Sequence, residues 1–303
     1  MNSESTGSVL DRPAPPTDLR LTRTSKRRSV TDSVARVAVT LSVVLALLPL
    51  GWLVYTLVSR GIGPILDPDW WLRSERYGGA ANAIVGTLMQ TALAAVIAIP
   101  LGILVAIYLV EYADVGGRLV KVTTFMVDVL AGVPSIVAAL FVYAVWRTTL
   151  DLPRSGFVVA LALVLLMIPL VVRATEEMLK IVPRELREAS YALGVPKWKT
   201  ILRVVLPTAM SGIITGIMLA VARVMGESAP VLILVGATRA MNVNPFDGNQ
   251  QSLPLQMLQE YNSGPSGYET VWGSALTLVI AVAIVYVAAR LLAAFTGPRT
   301  ERS

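Results

Sequence analysis

The chain has 303 residues, of which 54% are hydrophobic and 15% are charged, whereas a soluble domain carries about a quarter charged residues. With a mean hydropathy of +0.65, this composition predicts a polytopic helical membrane protein. Histidine and cysteine are both absent, which excludes disulfides, thiolate metal sites, a Ser-His-Asp hydrolase and a histidine-ligated zinc enzyme, so no metal site is expected.

Residues 1–33 are predicted to form a disordered basic cytoplasmic tail, because they are rich in Ser, Thr, Pro and Arg without apolar periodicity. Residues 34–297 contain six apolar spans and are predicted to form a six-helix transmembrane domain of an all-α integral membrane protein, followed by a short tail, residues 298–303. The predicted spans are Val37–Val58, Tyr77–Val110, Val129–Trp146, Ser155–Val172, Val204–Ala222 with a helical continuation to about Ala237, and Thr270–Ala289.

The distribution of Lys and Arg predicts the orientation of the spans. If the N-terminus is cytoplasmic, 19 of the 26 basic residues lie on the inner side and six lie in outer loops. This is a strong positive-inside bias, so both termini are predicted to be cytoplasmic. The net charge of +6 is thereby accounted for by membrane topology, without a nucleic-acid partner.

The polar segment of about residues 180–207 separates the fourth and fifth spans and is predicted to be cytoplasmic. Pro183 suits the first turn of a helix, Gly194 suits the left-handed position after its end, and Pro196 prevents its continuation. A second helix is predicted to start near Lys197 and to run into the fifth span. These features alone are compatible with an element resting on the membrane surface or with one docking in a groove of a soluble partner.

The pattern E-A-small-x3-G-x9-aliphatic-x-L-P in this segment resembles the EAA loop of ABC importer permeases, with Ser in place of the second Ala. The resemblance implies a type I, MetI-like permease architecture, and a coupling helix that docks on a cytoplasmic ATPase dimer. The chain has no G-x4-G-K-[ST] pattern, so ATP and magnesium are expected on the partner ATPase and no cofactor on this chain. The residues that match the motif are Glu188, Ala189, Ser190, Gly194, Val204, Leu206 and Pro207.

Three further stretches resemble the PstA-type permeases of the phosphate-specific branch: GTLMQTALAAVIAIPLGILVAIYLVEYA, LAGVPSIVAALF and ARVMGESAPVLIL. With SLPLQM in the last outer loop, the resemblance covers roughly residues 75–295. It implies a non-enzymatic subunit of an inorganic phosphate importer in the bacterial cell membrane. It also implies a heterodimer with a sister permease, and an extracytoplasmic phosphate-binding protein as a further partner.

Arg223 and Glu227 are four residues apart and are predicted to share one helix face in the fifth span. A mid-membrane Arg is disfavoured by about 2.5–3.5 kcal/mol on insertion scales, so it is expected to face a polar cavity or a partner. Its planar fork of donors suits phosphate or carboxylate. The two residues form either an anion pathway or a structural ion pair, and the resemblance favours the pathway. Arg173 is a second pathway candidate, with an end-capping role in the fourth span as the alternative.

The last outer loop, about residues 239–270, is polar, rich in Gly and Pro, and too long for a tight turn. By resemblance it is expected to seat the binding protein, and a plain connecting loop is the alternative.

Two other functions of the chain stay open. One is an importer permease for another oxyanion such as sulfate or molybdate, which the EAA-like loop does not distinguish. The other is a stand-alone secondary anion carrier, against which that loop argues.

Overall fold

The structure is a computed structural model that describes residues 26–113 and 117–296, with side chains over 30–113 and 117–291. Those residues form helices and no strand, and the chain divides into two compact units, residues 1–54 and 55–303. The helices are α1 (Lys26–Leu66), α2 (Pro68–Leu72), α3 (Ala81–Ile107), α4 (Arg118–Gly132), α5 (Ser135–Tyr143), α6 (Gly156–Ile181), α7 (Arg184–Ala192), α8 (Lys197–Thr200), α9 (Leu206–Met225), α10 (Ala229–Leu234), α11 (Leu253–Asn262) and α12 (Tyr268–Thr296).

The first unit, in its described part, consists of the first portion of α1. Every residue from 30 to 54 is exposed within the chain, although most are apolar. A helix that is apolar all round and uncovered by protein suits a lipid environment. The predicted tail included residues 26–33, which are instead the helical start of α1. Residues 1–25 and 298–303 of the two predicted tails lie outside the described residues.

The core of the second unit forms where α3, α6 and α9 pack together. Small residues let membrane helices approach closely, and α3 presents one at every fourth position along its contact with α6. A Cβ atom on Gly102 would lie 2.7 Å from a methyl carbon of Val171 on α6. Gly216 of α9 approaches Ala174 of α6 in the same way, so α6 is the central helix of the core. The buried small residues of α3 are Ala94, Ala98, Gly102 and Ala106.

The predicted all-α membrane fold is confirmed. Among the described residues, five helical segments are long and apolar enough to cross a membrane, and the bent pair α4–α5 makes six if it counts as one span. The predicted fourth span corresponds to α6, which Ser155 caps by accepting a hydrogen bond from the N–H of Val158. The predicted sixth span lies within α12.

The predicted third span, Val129–Trp146, is wrong as a single helix. It is broken between α4 and α5, which are bent by 105°. Val133 and Pro134 between them have extended backbones, with ψ of 124° and 141°. Proline disfavours the helical conformation in the residue before it, so Pro134 explains the break.

The predicted continuation of the fifth helix to about Ala237 is also wrong. α9 ends at Met225, Gly226 follows as its cap, and only the short α10 comes after the break. Pro230 lies in the first turn of α10, where the missing N–H of proline costs nothing. The residues around Glu227 therefore form a turn inside the membrane domain and are not part of a continuous helix.

α3 joins the two ends of the second unit, and its 27 residues give it a length of about 40 Å. At its start, the side-chain amide of Asn82 donates a hydrogen bond to the carbonyl oxygen of Thr238 (3.0 Å). Beyond its other end, Glu111 pairs with Arg187 of α7. We call α7 and α8 together the hairpin, the end that carries them the hairpin face, and the end that carries residues 238–252 the loop face.

Candidate functional site

The hairpin turns at Gly194, as predicted. Gly194 has a φ of +73°, and its N–H donates to the carbonyl oxygen of Tyr191 (2.9 Å). The N–H of Val195 donates to the carbonyl oxygen of Ser190 (3.2 Å). These two bonds are those of a Schellman motif, in which a glycine in the left-handed conformation ends the helix. The local chemistry of the sequence therefore specifies the turn.

Ser190, which stands at the second Ala position of the EAA-like motif, links the two helices of the hairpin. Its hydroxyl lies 2.8 Å from the hydroxyl of Thr200, and both residues are buried. A hydrogen bond of this kind contributes about 1 kcal/mol net to stability. The departure from the motif thus adds a contact that an alanine would not make.

The motif residues fall into two groups with different surroundings. The first group lies on the hairpin and is exposed, apart from Ser190. The second group is partly buried around the point where a π-helical turn, Ile201–Val205, leads into α9. The first group is an exposed surface of the hairpin, and the second lies where the hairpin joins α9. The first is Glu188, Ala189, Ser190 and Gly194, and the second is Val204, Leu206 and Pro207.

A groove of about 520 Å³ runs along the hairpin between its two helices. Leu186 and Leu193 give it apolar walls, and the charged residues in its lining, Lys199 and Arg203, are both basic. An apolar element that carries acidic groups is complementary to this lining.

Arg223 and Glu227 both line one pocket of about 280 Å³, within the membrane domain. They do not share a helix face, because α9 ends between them. Arg223 is exposed and Glu227 is half-buried. Over the described ranges, neither side chain forms an ion pair or a hydrogen bond with another residue. The predicted alternative of a structural Arg223–Glu227 pair is not what this conformation contains.

The break between α4 and α5 forms another wall of the same pocket, through residues 130–135. Ser135, the first residue of α5, is among them, and N–H groups in the first turn of a helix have no partner within the helix. The pocket is therefore lined both by Arg223 and by the N-terminal residue of α5. Within its lining, Glu227 is the single acidic side chain. Such a lining suits a small anion.

Arg173, the third predicted pathway residue, does not line this pocket but lies one turn from Pro169 and Leu170, which do. Its guanidinium contacts Asp128 of α4, and it donates a hydrogen bond to Glu176 (2.7 Å). Glu176 also accepts from Lys180 (2.6 Å). In this conformation Arg173 is therefore shared between two carboxylates and ties α4 to α6.

The predicted outer loop of about residues 239–270 is partly helical, because it contains α11 and the start of α12. Its other part is fixed by buried amide side chains at the loop face. The amide of Gln251 donates to a carboxylate oxygen of Glu75 (2.7 Å), and that of Gln90 donates to the amide oxygen of Gln250 (3.3 Å). This loop is thus a shaped surface held by specific bonds.

Sequence reasoning missed the pair of Glu111 and Arg187, whose side chains are 5% and 15% exposed and lie 2.8 Å apart. The two residues are 76 positions apart in the chain, so no local pattern connects them. For metal binding, the described part of the chain has no group of three or more acidic side chains placed around one position.

Comparison with known proteins gives the family. Residues 98–302 match the family described as binding-protein-dependent transport system inner membrane component. The phosphate transport system permease protein PstA 1 of Mycobacterium tuberculosis is 52% identical over 97% of this chain and 96% of its own length. The PstA permease of Mycobacterium leprae is 52% identical over 91% and 92% of the two chains, and that of Xylella fastidiosa 38% identical over 88% and 94%.

Solved structures support the same fold. The inward-facing MetNI methionine ABC transporter has a chain that is 18% identical, with a TM-score of 0.55 over 77% of this chain and 100% of that one. A bacterial ABC transporter involved in alginate import is 14% identical, with a TM-score of 0.58 over 89% and 100%. The family match, these folds and the mycobacterial relatives agree, and the chain belongs to the binding-protein-dependent transport system inner membrane components, in their PstA-type branch.

Proposed function

We propose that this chain is a permease subunit of an ATP-binding-cassette importer that takes up inorganic phosphate across the bacterial cell membrane. The observation that carries the proposal is Arg223, a cation that forms no ion pair with any described residue and lines a pocket inside the membrane domain. A guanidinium presents a planar fork of donors that matches phosphate oxygens. The names of the similar permeases support phosphate as the cargo.

The chain works within a complex. A sister permease supplies the other half of the path, and α5 offers it exposed apolar side chains beside the pocket, including Val137, Leu140 and Phe141. An ATPase dimer binds ATP and magnesium and docks on the exposed group of motif residues on the hairpin. An extracytoplasmic phosphate-binding protein delivers the anion to the loop of about residues 239–270. This chain itself performs no covalent chemistry.

The hairpin is connected to two walls of the pocket through the chain itself. α7 follows α6, which contributes Pro169 and Leu170 to the pocket, and α8 leads into α9, which contributes Arg223. A push by the ATPase on the hairpin therefore acts on both helices that line the anion site. Glu227 in the same lining opposes a negative charge, so that an anion attracted by Arg223 is also released.

Arg173 takes the anion next, on the hairpin side of the pocket. Its position one turn beyond Pro169 and Leu170 places it along α6 toward the hairpin face. While it is shared between Asp128 and Glu176, the two carboxylates repel an anion. Separation of α4 from α6 removes Asp128 and frees the Nη2 side of the guanidinium, while Glu176 stays bound to Nη1, so the Asp128 contact acts as a gate.

Replacing Arg173 with Gln is expected to lower the maximal rate of phosphate uptake roughly tenfold, which corresponds to about 1.4 kcal/mol of activation free energy. The matched control is Lys180→Gln, which removes the other basic partner of Glu176 but leaves Asp128 paired with Arg173. Uptake of radiolabelled phosphate by cells with equal amounts of assembled complex measures the effect. Equal phosphate uptake rates for Arg173→Gln and Lys180→Gln would show that Arg173 is not part of the anion pathway.

The cargo is tested by uptake in a strain that lacks this permease and any second phosphate importer. Restoring the gene is expected to restore uptake of labelled phosphate at low external phosphate, without a change in sulfate or molybdate uptake. Restored sulfate or molybdate uptake with no phosphate uptake would assign the chain to another oxyanion. Phosphate flux into vesicles that contain the purified chain alone, without ATP, would favour a stand-alone carrier.

A further inference from the structure

The hairpin is fastened to the membrane helices by a partly buried ion pair between Glu111 and Arg187. Glu111 lies in the π-helical turn Tyr108–Tyr112, which directly follows α3, and its side chain is 5% exposed. The Nε and Nη2 atoms of Arg187 both donate to Oε1 of Glu111, over 3.0 and 2.8 Å. A two-donor contact of this kind fixes the orientation as well as the distance of the groups.

Arg187 also binds the end of α6. Its Nη1 atom donates to the carbonyl oxygen of Val182 (2.7 Å), and its Nη2 atom to that of Leu179 (2.9 Å). The last carbonyl groups of a helix have no partner within the helix and attract cations. One guanidinium of the hairpin thus joins α7, the end of α6 and the turn after α3.

The second helix of the hairpin contacts the same turn. The ammonium group of Lys197, at the start of α8, lies 5.0 Å from the ring centroid of Tyr112, a distance at which cations are attracted to aromatic faces. Tyr112 is the neighbour of Glu111, so both helices of the hairpin bind adjacent residues of one turn. π-helical turns of this kind recur at functional sites.

We propose that the Glu111–Arg187 pair transmits the movement of the hairpin to α3. Separating the pair would leave the buried carboxylate of Glu111 without its charged partner, so displacement of α7 alone is resisted and α3 moves with it. Glu111 and Arg187 are positioning residues, since they act through the hairpin and contact neither phosphate nor ATP. The inference rests on the proposed function, in which an ATPase drives the hairpin.

The test uses the complete complex in lipid nanodiscs, with sister permease, ATPase and binding protein. ATP hydrolysis is measured with and without phosphate-loaded binding protein. Glu111→Gln keeps the size of the side chain and removes its charge. We expect unchanged subunit stoichiometry and basal hydrolysis, and a fall in the stimulated-to-basal ratio of about fivefold or more. Asp69→Asn, which removes the charge of a carboxylate paired with Arg73 (3.0 Å) away from the hairpin, is expected to leave the ratio unchanged.

A merely structural pair would give a different result. Glu111→Gln would then lower the recovery or the melting temperature of the complex, while the ratio per assembled complex stayed at the wild-type value, and this outcome would overturn the inference. If loaded binding protein fails to stimulate the wild-type complex, the proposed function fails as well. The two failures are therefore distinguishable by the wild-type sample.

A covalent rescue adds a second readout, because the chain has no cysteine of its own. We expect a low stimulated-to-basal ratio of ATP hydrolysis in the double variant Glu111→Cys, Arg187→Cys, assembled with cysteine-free partner subunits. A short bis-maleimide linker between the two thiols is expected to bring this ratio back toward the wild-type value. Formation of the link is verified by mass spectrometry, and a linked complex whose ratio stays low would contradict a transmitting role.

Discussion

Arg223→Gln is expected to abolish phosphate transport while the complex still assembles. The guanidinium forms no ion pair with any described residue, so its removal strands no carboxylate partner and the fold is retained. The anion, however, loses the strongest donor in its pocket. We expect the maximal uptake rate to fall about 100-fold or more, which corresponds to about 2.7 kcal/mol. Uptake of labelled phosphate is measured together with co-purification of the sister permease and the ATPase.

Two further variants make the result specific. Arg223→Lys keeps the charge but not the planar fork, so intermediate uptake is expected if phosphate is bound by paired donors. Arg290→Gln removes an exposed arginine of α12 whose guanidinium donates to the Tyr286 hydroxyl, far along the chain from the pocket lining, and uptake is expected to be normal. Normal uptake by Arg223→Gln, in cells with the wild-type amount of complex, would defeat the claim that Arg223 binds the anion.

The long helices were predictable because each carries a simple signal. The runs of uncharged residues in α6 and α12 are long enough to span a bilayer, and the Ser155 cap fixes where α6 begins. Gly194, between two polar helical segments, predicted the hairpin turn, since left-handed backbone after a helix favours glycine. These features depend on neighbouring residues alone, so one sequence is enough to find them.

The break between α4 and α5 and the break after α9 were not predicted from the sequence. Hydropathy reports how apolar a segment is, but not whether its helix is straight or bent. The residues of α4 and α5 around the break are apolar, and an uncharged run of 18 residues has the same length whether it is straight or bent. The sequence nevertheless contains helix-breaking residues at both places. Gly132 and Pro134 stand at the first break, and Gly226 stands at the second. Glycine and proline in a membrane span are tolerated where neighbours or a cavity satisfy the freed backbone groups, and here both breaks line the pocket.

The ion pairs between residues that are distant in the chain could not be predicted from the sequence. Asp128 binds Arg173, which is 45 positions away in the chain. Glu111 and Arg187 have no shared local pattern. An ion pair is set by how helices pack, and packing depends on small residues such as Gly102 and Gly216 whose partners lie on another helix. A single sequence does not specify which charges such packing brings together.

Gly194→Val is expected to uncouple ATP hydrolysis from transport. Gly194 has a φ of +73°, and a Cβ atom there would meet nothing within 4 Å. The substitution therefore acts through the backbone alone. A residue other than glycine costs about 1–3 kcal/mol in this conformation, and a β-branched one is among the least suited. Loss of the Schellman bonds would move α8 relative to α7, and stimulation by loaded binding protein is expected to fall about tenfold or more.

Two control variants separate the effect of straining the turn from the effect of replacing a glycine with a larger residue. Gly194→Asn is expected to retain most of the stimulation, because asparagine adopts the left-handed conformation more readily than other residues. Gly51→Val adds the same side chain within α1, again with nothing within 4 Å and at a helical position, and should leave stimulation intact. Because the strain is confined to one φ angle, stimulation of ATP hydrolysis should be highest in the wild type, lower in Gly194→Asn and lowest in Gly194→Val. Equal stimulation in Gly194→Val and wild type would mean that this turn does not set the position at which the ATPase acts.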